Sequence, residues 1–84
     1  MQNGTMSVEY YAPIGTDPQT PHKQNELYVI ASGKGTFCRN SERVSFQQGD
    51  VLFVPAGMEH RFENFSHDFA TWVIFYGFEG VEAI

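Results

Sequence analysis

Gly49-Asp-Val-Leu-Phe-Val-Pro55-Ala-Gly57-Met-Glu-His60-Arg-Phe-Glu-Asn64 is the stretch that decides how this 84-residue chain is read. Val51-Leu-Phe-Val54 is a short apolar run of branched and aromatic residues, the composition of a strand. Pro55 has no N–H to give to a ladder, so Pro55-Ala-Gly57 ends that strand sharply. His60 opens the next one. Side chains alternate along a strand, so His60, Phe62 and Asn64 point one way and Arg61 and Glu63 the other.

The same alternation of short strand and turn runs through the rest of the chain. No segment carries a helical period, and eight Gly and four Pro punctuate the apolar runs. Strands are expected near 6–12, 26–32, 35–39, 42–46, 50–54, 60–64 and 69–78. Ser32-Gly33-Lys34-Gly35 offers two residues that tolerate positive φ and reads as a hairpin turn. Asn40-Ser41 is placed to close a two-residue hairpin. The longest polar stretch, 14–25, contains Pro18 and Pro21 and reads as a loop. The expectation is an all-β chain forming one domain over 1–84.

A second stretch, His22-Lys-Gln-Asn-Glu26-Leu-Tyr-Val-Ile-Ala-Ser-Gly33, sets Glu26, Tyr28 and Ile30 on one strand face. If that face is the interior, an ionised Glu26 enters apolar space, which is very costly unless the carboxylate is paired or metal-bound. Taken singly, His60 also reads as a core histidine bonded to a backbone carbonyl, Glu26 as a surface residue and His22 as a loop residue in water.

The two stretches, G-x5-P-x-G-x2-H-x3-N and H-x3-E-x6-G, resemble the two sequence motifs of the cupin family, small β-barrels that usually hold one divalent metal. The resemblance spans 22–77, with motif one at about 20–33 and motif two at 49–64. It implies an antiparallel β-barrel, a jelly-roll-like double sheet, with His22, Glu26 and His60 as ligands of one metal. The family's first motif normally begins H-x-H, and Thr20 stands here where the first histidine belongs. A 3-His-1-Glu set becomes 2-His-1-Glu, with Thr20 and Gln24 as weak additional ligands or supports. Tyr28 and Phe62 lie on the ligand face, as core or as the apolar lining of a pocket. Imidazole and carboxylate suit Fe, Mn, Zn or Ni better than Ca. Two His and one carboxylate with open positions is the pattern of non-haem Fe(II) oxygenases, and the lost imidazole also weakens metal affinity. The resemblance implies a small oxygen-bearing organic ligand and dioxygenase, isomerase or decarboxylase chemistry. A non-catalytic module that captures a small ligand fits the same residues, as does a purely structural domain. Members of that family often carry more chain before motif one than the 21 residues here, so an N-terminal strand would be missing or borrowed from a neighbour.

Composition narrows the partners. The net charge is -5 and the five Lys and Arg are scattered, so no basic face exists for nucleic acid or an anionic membrane. An anionic substrate would find its positive charge in the metal. The apolar run 72–78 is too short to span a bilayer. The N-terminus has no signal-peptide pattern, so Asn3-Gly-Thr5 and Asn64-Phe-Ser66 read as chance glycosylation sequons. The single Cys38 excludes an internal disulfide and reads as a small buried apolar residue. A cytoplasmic protein is expected. No nucleophile elbow or phosphate-cradling loop is present.

Thirteen aromatics are a large apolar load for a chain that buries only about 60% of its unfolded surface. Val51-Leu-Phe-Val54 and Trp72-Val-Ile-Phe-Tyr76 are apolar on both faces, so the outer face needs a second sheet or a partner subunit. A homodimer is expected. Which of the 72, 74, 76 and 71, 73, 75 sets points inward is left open by the pattern.

Overall fold

In the computed structural model, which describes residues 2–18 and 21–77, the alternating strands form two antiparallel sheets. In chain order they are β1 (Gln2–Asn3), β2 (Met6–Tyr11), β3 (Asn25–Ser32), β4 (Lys34–Arg39), β5 (Glu42–Gln47), β6 (Val51–Val54), β7 (His60–Glu63) and β8 (Ala70–Tyr76). One sheet has the order β1-β2-β8-β3-β6 and the other β5-β4-β7. The described residues contain no helix.

The strand ahead of motif one comes from this chain itself. β2 pairs with β8 from Ser7↔Phe75 to Tyr11↔Thr71, and β1 adds a short outer strand through the Gly4-Thr5 turn, with Gly4 at φ 62°. Gly4, set aside as part of a sequon, supplies the positive φ of that turn, which the sequence reading passed over.

Aromatics fill the space between the sheets. Tyr28, Phe37, Phe46, Phe62 and Phe69 are buried together with Ile30, Val54 and Val73. Their rings meet edge-on or tilted: Tyr28 and Phe62 lie 4.9 Å apart at 85°, Phe46 and Phe62 5.3 Å apart at 76°. Such pairs add about 0.5–1.5 kcal/mol each beyond the area they bury.

The two glycines at 33 and 35 serve different ends, and the hairpin expected there is a corner. β3 and β4 lie in different sheets, and Gly33, at φ 83°, is where the chain crosses between them. A Cβ on Gly33 would sit 2.6 Å from Phe69 Cα. Gly35 has no positive φ. It is there for space, since a Cβ would lie 2.8 Å from Phe65 Cα and 2.9 Å from the Phe46 ring. Asn40-Ser41 does close the β4–β5 hairpin, between Arg39 and Glu42, with φ of 50° and 73°.

β8 settles the open parity. Thr71 and Val73 are buried and Phe75 packs against the core, while Trp72 is 45% exposed on the outside. Val51 and Phe53 are also exposed, so the second apolar face of the large sheet is not covered within the described chain.

Candidate metal centre

Each of the three expected ligands reaches the barrel from a different local structure. Glu26 is the second residue of β3, on the inward face, where Phe75 of β8 and Val54 of β6 flank it in register. His60 is the first residue of β7 and points inward. His22 lies in the loop before β3, and motif two holds that loop in place. Gly57, at φ 80°, donates its N–H to the His22 carbonyl at 2.8 Å. The Ala56 N–H is accepted by Asn25 Oδ1 at 2.9 Å. The Pro55-Ala-Gly57 turn thus ties motif two to motif one, beyond ending a strand.

The ligand atoms of His22, Glu26 and His60 all lie within 4.8 Å of one another. Glu26 Oε1 is 2.8 Å from His22 Nδ1 and 3.3 Å from His60 Nε2, and Glu26 Oε2 accepts the Tyr28 hydroxyl at 2.8 Å. The carboxylate is 1% exposed, and the His60 side chain is fully enclosed. Two donors of one ion at about 2.0–2.2 Å are themselves about 3–3.5 Å apart, so these spacings suit a shared cation.

A test of fit comes from His60. Its Nδ1 lies 3.0 Å from the Met58 carbonyl, which can only accept. Nδ1 therefore carries a proton, and in the neutral ring Nε2 presents a lone pair. That lone pair is buried without a hydrogen-bond partner and faces Glu26 Oε1. The two atoms sit at ion-pair distance but without hydrogen-bond geometry. Two acceptors held face to face away from water are unfavourable unless something positive lies between them. The second bond of a metal-ligating histidine commonly goes to such a backbone carbonyl. The residues present fit a divalent cation.

The remaining expected site residues separate. Gln24 donates its amide N–H groups to the Thr5 carbonyl at 2.7 Å and the Gly77 carbonyl at 2.8 Å, so it stitches strand ends rather than joining the trio. Thr20 lies outside the described residues. Tyr28 is buried and holds the carboxylate through its hydroxyl, and Phe62 packs behind Tyr28. His22 is the trio's half-exposed member, with its ring 5.1 Å from Phe75. Beside it opens a cleft of about 330 Å³ lined by Ser7, Glu9, Lys23, Gln24 and Phe75.

Sequence reasoning missed two supporting residues. Asn25 holds the turn of motif two and gave no signal of its own. Asp17, buried in the loop, accepts the Phe62 N–H at 2.8 Å and the Tyr11 hydroxyl, and so caps β7 on the side away from β4. A lone Asp in a polar stretch cannot be told from a solvated one by sequence.

The model of the cupin domain matches residues 7–76. The chain is a cupin. An uncharacterized Streptomyces coelicolor protein is 36% identical to it over 77 residues, covering 89% of this chain and 73% of that protein. Among solved structures, a cupin 2 conserved barrel domain protein from Salinispora arenicola superimposes with a TM-score of 0.74 at 20% identity, over 90% of this chain and 66% of that one. A predicted oxalate decarboxylase of Thermotoga maritima gives 0.64 at 26% identity, over 83% of this chain and 63% of that one. This cupin spans less than two thirds of the length of either solved chain. Cupins commonly bind a metal, and the His–Glu–His group lies close enough to hold one.

Proposed function

We propose that this single cupin domain holds one divalent transition metal, Fe, Mn, Zn or Ni, on His22, Glu26 and His60, and uses it to bind and transform a small oxygen-bearing organic molecule. The observation that carries the reading is the buried His60 Nε2, which faces the Glu26 carboxylate at 3.3 Å without a hydrogen-bond partner. When bound, the metal supplies Lewis-acid or oxygen-activating chemistry. The protein's own residues do the rest. The Met58 carbonyl fixes the His60 tautomer, and Tyr28 holds Glu26 by its second oxygen. Phe75 packs edge-on against the His22 ring, and both line the cleft on that side of the trio. The likeness to a predicted oxalate decarboxylase supports a small organic acid as one ligand class to screen.

The second reading is capture without turnover, and the open, polar cleft beside His22 favours it. Metal-loaded protein incubated under air with small keto acids, enols and sugars distinguishes the two. Product formation supports an enzyme, and saturable binding without product supports a binding module. A protein that takes up metal but neither binds nor converts any of them contradicts both. We further infer a cytoplasmic homodimer, from the single cysteine, which fits a reducing compartment, and from an apolar load too large for so small a chain.

A further inference from the structure

The segment between β2 and β3 carries His22 and runs along the outer edge of β7, the last strand of the small sheet. A cleft of about 360 Å³ opens there, with Gly15 and Thr16 on the segment's side and Arg61 and Asn64 on the strand's. The segment thus lies over the strand with space between them, and Asp17 bridges it. Asp17 Oδ2 accepts the Phe62 N–H at 2.8 Å, and Oδ1 accepts the Tyr11 hydroxyl. Only 7% of Asp17 is exposed. A carboxylate taken out of water in this way is costly unless its oxygens are bonded, and bonds to an ionised acceptor are stronger than neutral ones. The resulting clasp joins the end of β2, the segment and β7.

We propose that Asp17 is a positioning residue for the metal centre, its clasp setting how far His22 stands from His60. This rests on the metal reading above and goes beyond the capping of β7. Every member of the trio connects to the clasp. Phe62 follows His60 by two residues on the buried face of β7, so holding the Phe62 N–H holds the strand that presents the imidazole. The Phe62 ring packs 4.9 Å from Tyr28, whose hydroxyl holds Glu26. His22 follows Asp17 by five residues, and Pro18 and Pro21 restrict φ on the path between them.

The segment is held at its other end by the Gly57 N–H on the His22 carbonyl. Releasing Asp17 leaves that bond to place His22 alone. Glu26 and His60 are strand residues and keep their positions, whereas His22 is the half-exposed loop member and is the ligand that drifts. Losing a donor lowers metal affinity and changes the ligand field, two effects that a general loss of stability does not produce in a folded chain.

The test uses the full chain as wild type, Asp17→Ala, Tyr11→Phe, His22→Ala and Gly35→Ala. Zinc affinity is measured by competition with a chromophoric chelator, and the visible spectrum of bound cobalt(II) reports the ligand set. Gly35→Ala disturbs packing against Phe65 and Phe46, away from the segment, and controls for stability alone. Asp17→Ala should bind zinc about 10-fold more weakly than wild type, with a cobalt(II) spectrum moved towards that of His22→Ala. Tyr11→Phe gives up one bond of the clasp and should lose about threefold, while Gly35→Ala keeps wild-type affinity. Wild-type affinity and a wild-type cobalt(II) spectrum in folded Asp17→Ala overturn the proposal, as does an equal loss of affinity in Gly35→Ala. Should Asp17→Ala fail to fold, Tyr11→Phe decides: weaker zinc binding supports the clasp and unchanged binding overturns it. A wild-type chain that takes up no zinc overturns the metal centre and this proposal with it.

Discussion

Glu26 Oε1 and His60 Nε2 face each other at 3.3 Å inside the barrel, and no hydrogen bond joins them. The Met58 carbonyl holds a proton on His60 Nδ1, so in the neutral ring both facing atoms are acceptors. Glu26→Gln separates the two demands on this position. The amide can donate to Nε2, so metal-free Glu26→Gln should match or exceed the metal-free wild type in stability, within about 1 kcal/mol. Added zinc should raise the melting temperature of the wild type only. Thermal melts with and without metal read both halves, and an equal zinc response in the variant would contradict the ligand role of Glu26.

Gly35→Ala should be strongly destabilising although Gly35 has an ordinary φ. Its Cβ would press on Phe65 Cα, which is backbone and cannot rotate away, and on the Phe46 ring. Overpacking of this kind costs about 1–3 kcal/mol, and urea titration would measure it. Gly49→Ala is a useful control, since a Cβ there meets nothing within 4 Å and its cost comes from φ alone.

Ser41→Gly should act in the opposite direction. Asn40 and Ser41 both hold positive φ in the β4–β5 turn, and serine bears this poorly while asparagine tolerates it. Relief of the left-handed conformation is worth about 1–2 kcal/mol and is partly offset by glycine's extra freedom in the unfolded chain. A net gain of roughly 0.5–1 kcal/mol corresponds to a rise of about 2–8 °C for a domain of this size. An unchanged or lower melting temperature would contradict this account of the turn.

Most of the fold was legible because its signals are local. The strand runs, the Asn40-Ser41 turn and the Pro55-Ala-Gly57 stop each depend on a few adjacent residues. The three metal-site candidates were legible only through the resemblance to the cupin motifs, whose ligand positions fall on His22, Glu26 and His60. What could not be read depends on partners distant in sequence. Gly35 is explained by Phe65, Gln24 by the carbonyls of Thr5 and Gly77, and Asp17 by the N–H of Phe62. The inward parity of β8 was hidden because both faces of that strand are apolar, one turned to the core and one to the outside of the large sheet.

Tyr11 offers a pH-dependent check on the loop. Burial first, and then the hydrogen bond and negative charge of Asp17, hold the Tyr11 phenol well above its ordinary pKa. The fold therefore favours the neutral phenol. That stabilisation is fully present below about pH 10, where the phenol is also neutral in the unfolded chain, and is lost as pH rises further. Tyr11→Phe should cost about 1 kcal/mol at pH 7, and its gap to the wild type should narrow above pH 10. Urea titrations at pH 7, 9 and 10.5 would show it, and a constant gap would mean that the Tyr11–Asp17 contact does not couple to folding.

The central claim is that His22, Glu26 and His60 form one metal site, and elemental analysis tests it most directly. Protein purified without chelator, or reconstituted with Fe, Mn, Zn or Ni, is compared with His60→Ala. The account predicts about one metal per chain in the wild type, lost in His60→Ala, with the bound metal raising the melting temperature. No metal in the reconstituted wild type, or equal metal in His60→Ala, would contradict it.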